Sequence, residues 1–293
     1  MVTPSQFEFL RSIDTPTVCN LLEIVAPERR GFGYTVRHLH CPFPNLPPMV
    51  GFAKTVTMRA QDRVPLGEAG YMAKRLDYLD YIAAQPQPGI AVIQDIDDIV
   101  GYGAFWGEVQ TNVHKALGCL GTITNGSVRD IPQVADGFQM LAGSISPSHA
   151  FVHVVDFGLA VNIHGMAVRS GDLIHADQHG AVVVPIETID PMKAAAPGLA
   201  AKEAKIINAA KAGAGLEAIK AAMKAAMEAG GMRVASRTLG IASWVGAFVE
   251  YVGKGIITDM NEDRMGEQVL FEMQKLVQAL DRLVELEYHR AEM

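Results

Sequence analysis

The chain has 293 residues, 49% of them hydrophobic and 19% charged, with 25 Lys+Arg against 32 Asp+Glu for a net charge of −7. It is too apolar for a disordered chain and too long for a mini-domain, and one large core or two ordinary ones fit. It lacks the dense basic face that a phosphate backbone demands, which argues against nucleic-acid binding. Cys19, Cys41 and Cys119 are widely spaced and fit neither a zinc pattern nor a disulfide framework, so a reducing compartment is expected. Met1 to Leu10 carries no basic segment followed by an apolar run, and Leu239 to Val249 is too short to span a bilayer. These features predict a cytoplasmic protein with no membrane partner.

In chain order, the first predicted element is a helix. Thr15 or Thr17 offers an N-cap, Pro16 suits a first turn, and Val18, Leu21, Leu22 and Val25 recur at helical spacing before Pro27. Arg37 to Met49 holds Pro42, Pro44, Pro47 and Pro48 and reads as an ordered loop. Val50 to Met58 reads as a strand and Gly70 to Ala84 as a helix, with Met72, Leu76, Leu79 and Ile82 on one face. Pro86 to Gly89 then turns the chain into a short apolar strand, Ile90 to Gln94.

Gly101 to Gly107 (GYGAFWG) is expected as a loop, Glu108 to Leu117 as a helix, Gly121 to Asn125 as a strand, and Val128 to Gly137 as a loop and helix start. From Phe151 the pattern becomes β: 151–155, 160–163, 166–168, 173–175 and 181–185, separated by glycine and aspartate at hairpin spacing. Residues 193–229 are Ala/Lys/Glu-rich and helical by propensity, with a break at Gly213 and Gly215. Val269, Met273, Leu276, Leu280 and Leu283 mark the apolar stripe of a last helix that needs a partner surface. The expected organisation is one α/β domain over residues 1–229 and a helical, oligomerisation-competent extension over 230–293.

The segment richest in chemistry is Gly107-Glu108-Val109-Gln110 followed, one helix and one strand later, by Asn125-Gly126-Ser127-Val128-Arg129-Asp130. A glycine entering a helix exposes amides and the positive end of a dipole, a place for a carboxylate or phosphate oxygen. Arg129 can grip a carboxylate with a planar fork, and Asp130, pointing to the other side of an extended chain, suits Mg²⁺ or Mn²⁺ with water ligands. Read from the residues alone, a surface ion pair or a helix cap explains Arg129 and Asp130 at least as well. His149, His153, His164, His175 and His179 fall within a short stretch, but their spacing does not set them on one helical face. A shared metal is therefore not predicted there, although one of them, or Glu108, could relay protons. Phe105 and Trp106 are expected in buried packing, with a pocket wall as the alternative, Asp172 and Asp177 in turns, and Cys119 as a buried small side chain.

The order Gly107-Glu108, Gly118, Gly121, Asn125-Gly126, Val128-Arg129-Asp130, Gly165, Val168, Gly171-Asp172, Ala176-Asp177, Gly180 and Val182-Val183-Val184-Pro185 resembles the 4-hydroxy-4-methyl-2-oxoglutarate aldolase family. That family also contains the regulator of ribonuclease activity A. The resemblance runs over residues 10–225 and takes in the 15–22 helix and the 51–56 strand. It implies a swivelling β/β/α domain like the phosphohistidine domain, assembled as a homotrimer or homohexamer with sites between subunits. It further implies that Gly107, Glu108, Val109 and Gln110 offer backbone amides to a 2-oxo acid, that Arg129 holds the substrate and acts in catalysis, and that Asp130 binds Mg²⁺ or Mn²⁺. The implied chemistry is that of a class II aldolase releasing pyruvate, with oxaloacetate decarboxylation along the same electronic path. Catalytic members usually carry an acid three residues after the metal aspartate; here that position is Gln133, and Asp136 is the nearest acid. Two other readings follow: an enzyme acting on another hydroxy or sugar acid, and a non-catalytic regulator that binds a protein.

Overall fold

A computed structural model describes residues 2–64 and 67–229. The chain divides into two compact units, Met1–Ala222 and Met223–Met293, and the sheet and the site belong to the first. The expected extension over 230–293, its stripe and the 239–249 run lie outside the described residues.

Two helices open the chain. α1 (Pro4–Arg11) is closed by a capping box in which Thr3 and Gln6 exchange side-chain and backbone hydrogen bonds. α2 (Thr15–Val25) is capped by Asp14, whose Oδ1 accepts the Thr17 amide at 2.9 Å. The cap therefore precedes both threonines expected in that role. A carboxylate at the positive end of the helix is a strong acceptor there, and Thr15 instead turns inward.

The remaining elements alternate: β1 (Met49–Arg59), α3 (Glu68–Ala83), β2 (Gly89–Asp95), β3 (Ala104–Trp106), α4 (Glu108–Ala116), β4 (Cys119–Val128) and β5 (Gln139–Ile145). There follow β6 (His153–Phe157), β7 (Val161–Ile163), β8 (Met166–Val168), β9 (Leu173–Asp177), β10 (Gly180–Val183), α5 (Ile189–Lys211) and α6 (Gly215–Ala229). The main sheet runs β10-β9-β1-β2-β4-β3, with β5 beside β4 and β6 beside β1. β1, β2, β4 and β5 are parallel neighbours, as are β3 and β4. β1 is shared, pairing β9 through Met49–Phe52 and β6 through Val56–Arg59.

The pleat sorts β2 into two layers. Ile90 and Val92 pack with Ile123 against the β7–β8 hairpin, through Val161, Ile163, Met166 and Val168. Ala91 and Ile93 face the other way, onto Tyr78 and Ile82 of α3 and onto Phe105, Trp106 and Phe138. The outcome is the β/β/α layering that the resemblance implied. α1, α2 and α5 close one end over Val50, Phe52, Leu173 and Val182.

Two strands depart from the sequence reading. β3 lies inside the segment expected as loop, where glycines flank three buried residues. β5 runs through Gln-Met-Leu-Ala-Gly-Ser-Ile, a segment poor in β-branched residues whose strand state comes from its pairing with β4. Past Asp130 there is a single 3₁₀ turn, Ile131–Gln133, rather than a helix.

Candidate functional site

The site is built where β3 and β4 end. Their parallel register sets Trp106 beside Val128, and the Arg129 amide donates to the Trp106 carbonyl at 2.9 Å, so Gly107 and Arg129 leave the sheet side by side. Asp130 then adopts a left-handed backbone, φ 51° and ψ 36°. This turn brings its carboxylate back, with Oδ2 3.4 Å from Arg129 Nε and 3.4 Å from the Glu108 amide. The expectation that Asp130 points away from Arg129 is thereby corrected: it assumed an extended chain, and positive φ reverses the direction. Gly107 makes the return possible, since a Cβ there would lie 2.5 Å from Asp130 Oδ2.

Arg129 and Asp130 line a cavity of about 360 Å³ together with Gly107, Val109, Gln110 and Val113 of the β3–α4 segment. α3 contributes Tyr71, Lys74, Arg75, Tyr78 and Leu79, and the chain entering β6 contributes His149, Val152, His153 and Val154. Three permanent cations, Lys74, Arg75 and Arg129, thus face one carboxylate, Asp130. A chain of net charge −7 therefore carries a locally cationic pocket suited to an anion.

Buried polar contacts hold the surrounding loops. Asp95 takes the amides of Asp97 and Gly101 at 3.0 and 2.7 Å, and Asn125 brackets the Asp95 backbone with hydrogen bonds of 2.7 and 2.9 Å. Asp97 in turn accepts the amides of Ala60 and Gln61. Gly103 packs directly on the 148–149 backbone, where a Cβ would stand 2.5 Å from the His149 carbonyl oxygen. That close approach is what carries His149 and His153 to the cavity.

The helical wall is tied internally. His114 Nδ1 lies 2.7 Å from the Gln110 carbonyl, which can only accept, so Nδ1 carries the proton and Nε2 accepts from the Tyr78 hydroxyl at 2.6 Å. Burial lowers the His114 pKa from 6.5 to about 4. A base held below its ordinary value stabilises the fold fully above that value and loses its contribution as pH falls towards the folded one. Denaturant stability is thus expected to drop by about 3 kcal/mol between pH 6.5 and 4 on account of His114. His175 and His164, also lowered by burial, act in the same direction. His114→Gln should make the acid limb shallower by about one proton; an unchanged slope would refute the assignment.

Of the residues expected to bind substrate or metal, Gly107, Val109, Gln110, Arg129 and Asp130 meet in this cavity. The Glu108 side chain is exposed, and its amide is engaged by Asp130. Gln133 and Asp136 are exposed and outside the lining. Phe105 helps line the cavity, whereas Trp106 is fully buried. Cys119 is buried, which pushes its thiol up to about 12. Asp172 accepts the Arg169 amide in a turn, while Asp177 also reaches across to the Thr15 amide at 2.8 Å. His175 bonds Thr15 Oγ1 and His179 pairs with Asp177, each at 3.0 Å. Among the described residues no group of three or more His, Cys, Asp or Glu is placed to hold a metal. The α3 cations Lys74 and Arg75 were not singled out from sequence, because they look like any solvated helix charges until the fold lays α3 beside Arg129.

The comparisons with known proteins agree with this architecture. An uncharacterized protein of Methanocaldococcus jannaschii is 30% identical over 117 residues, which is 38% of this chain and 56% of that protein's length. The chain thus spans about half of that relative. A solved structure of an uncharacterized protein from Pseudomonas syringae pv. tomato superposes with TM-score 0.56 at 22% identity, covering 75% of this chain and 94% of that one. Streptomyces coelicolor RraAS2, described as an unusual member of the RNase ES inhibitor RraA protein family, gives TM-score 0.50 at 21% identity, covering 65% and 89%. These two likenesses establish the fold. No helix among the described residues is long and apolar enough to cross a membrane. With the RraA-like model (Aldolase/RraA) matching residues 15–183, the chain belongs to the RraA-like family.

Proposed function

We propose that the chain is a divalent-metal-dependent lyase of the class II aldolase type, which cleaves a 4-hydroxy-2-oxo acid to pyruvate and also decarboxylates oxaloacetate. The family holds both aldolases and ribonuclease regulators. The observation that carries the catalytic reading is the convergence of Arg129 and Asp130 on one cationic cavity beside the start of α4. A regulator that binds another protein has no need of a carboxylate and a guanidinium turned into a pocket.

The donor set fits a hard ion. A single carboxylate, Asp130, with water completing the shell is a pattern that Mg²⁺ and Mn²⁺ accept, whereas Zn²⁺ prefers several nitrogen or sulfur ligands. Asp130 would hold the ion, with the Glu108 amide steadying Oδ2. Bound there, a divalent ion supplies Lewis-acid polarisation of the substrate's 2-oxo group. Val109 and Gln110 present first-turn amides that lack intrahelical partners and can take the substrate carboxylate. Arg129 stabilises the negative charge that develops on the 2-oxo oxygen as the C3–C4 bond breaks. Lys74 and Arg75 favour a substrate bearing further negative charge. Met72, Leu76 and Val109 are large apolar side chains left exposed on α3 and α4, which supports self-association; the homotrimer or homohexamer is the form the family resemblance implies.

Pyruvate release from a panel of 4-hydroxy-2-oxo acids, with Mg²⁺ or Mn²⁺ present, tests the reading; no release from any of them would overturn it. Stable capture of a protein partner together with no metal binding by calorimetry would favour the regulator instead. Arg129→Lys keeps the charge but loses the planar fork, and kcat/KM is expected to fall by about 10²-fold in the same assay.

A further inference from the structure

The geometry points to His153 as the general base that takes the proton from the substrate's C4 hydroxyl. The inference rests on the lyase reading and fills a gap in it. Cleavage needs an unprotonated acceptor inside the cavity. Gln133, where other family members place an acid, is exposed, outside the lining and unable to act as a base. Asp130 is taken by Arg129 and the Glu108 amide, and Lys74 and Arg75 are cations. Tyr78 gives its hydroxyl proton to His114. His149 and His153 remain.

Both imidazoles have their tautomer set by the backbone. His153 Nδ1 lies 2.8 Å from the Phe151 carbonyl, and His149 Nδ1 lies 2.7 Å from the Ala150 carbonyl. A carbonyl only accepts, so in the neutral ring Nδ1 carries the hydrogen and Nε2 keeps the lone pair. The two differ in burial. His149 is exposed, whereas His153 is only 6% exposed and is held by β6, where it pairs with Arg59 of β1. Among the described residues no hydrogen bond engages His153 Nε2, although the ring is buried and lines the cavity. A ring anchored at Nδ1 by an acceptor and open at Nε2 is oriented as a general base is.

The step balances. His153 Nε2 accepts the C4 hydroxyl proton; C4–O becomes the carbonyl of the departing product as the C3–C4 electron pair moves onto C3 and the 2-oxo group. The Nε2–H then returns that proton to C3, completing the methyl group of pyruvate and leaving the ring neutral. Oxaloacetate decarboxylation has no hydroxyl to deprotonate: CO₂ departs, and water can protonate C3.

His153→Gln separates the two reactions. Pyruvate release from a 4-hydroxy-2-oxo acid is expected to fall in kcat by roughly 10²- to 10⁴-fold with KM nearly unchanged. Oxaloacetate decarboxylation by the same preparation should stay within about threefold of wild type, which also shows that the variant is folded. In pyruvate release from the hydroxy acid His149→Gln should cost less than His153→Gln, and the reverse order would overturn the assignment. Parallel loss of both reactions in His153→Gln would reduce His153 to a structural residue, and retention of both would refute the assignment. A wild type that releases no pyruvate from any hydroxy acid sinks the lyase reading and this assignment together. Independently of turnover, the imidazole ¹⁵N spectrum of the metal-free protein should show His153 protonated at Nδ1 when neutral; protonation at Nε2 would overturn the proposal.

Discussion

Asp130→Ala is expected to abolish metal-dependent pyruvate release, with a loss on the order of 10³-fold or more, because Lewis-acid polarisation supplies several kcal/mol of the barrier reduction. The expectation follows from the narrowness of the donor set. Within the cavity Asp130 is the one carboxylate among the lining residues, so no neighbour replaces it. The substitution also releases the Arg129 guanidinium, now 3.4 Å from Oδ2, and thereby weakens its aim at the substrate. Alanine adds backbone strain at φ 51°, where aspartate and asparagine sit more easily. Asp130→Asn therefore serves as the matched variant, keeping the left-handed turn and removing the charge. Both variants should give no Mg²⁺ or Mn²⁺ heat in calorimetry. Metal-stimulated pyruvate release persisting in Asp130→Asn would show that the ion binds elsewhere.

The division between what could and could not be read from sequence follows the range of the interactions. β1, β2 and α4 were legible within a residue or two because the two strands are short apolar runs, buried on both faces, and all three elements are bounded by proline or glycine punctuation. α1 was not, although its Thr3-Pro4-Ser5-Gln6 capping box is a sequence signal that could have revealed it. β3 and β5 owe their state to pairing with β4, a long-range effect that local propensity does not carry. In the site, a resemblance rather than spacing marks Arg129 and Asp130, and their mutual orientation departs from the extended expectation because an aspartate tolerates the positive φ seen at Asp130 without local sequence requiring it. Lys74, Arg75 and the burial contrast between His149 and His153 emerge only once α3 and β6 are laid around the end of β4.

Gly107→Ala should cost about 10²-fold in kcat/KM, because a displacement of about 1 Å at a reacting centre has that effect, and destabilise the fold only modestly. Gly107 has φ −163°, extended backbone that any residue adopts, so conformational strain does not enter. As an N-cap, alanine is poorer than glycine by about 1 kcal/mol at most. What the methyl group meets is specific: Asp130 Oδ2 at 2.5 Å and Arg129 Cγ at 3.3 Å. The aspartate is too short to evade it by small torsions, so the carboxylate must leave the Glu108 amide and the bound metal must move or loosen. Metal affinity and kcat/KM should therefore decline together. A stability cycle isolates the cause. In the Asp130→Ala background the added methyl has room, so Gly107→Ala should destabilise less there than in wild type, by denaturant melts at one pH. Equal destabilisation in both backgrounds would mean that the two positions are not coupled, and that the glycine serves α4 rather than the carboxylate.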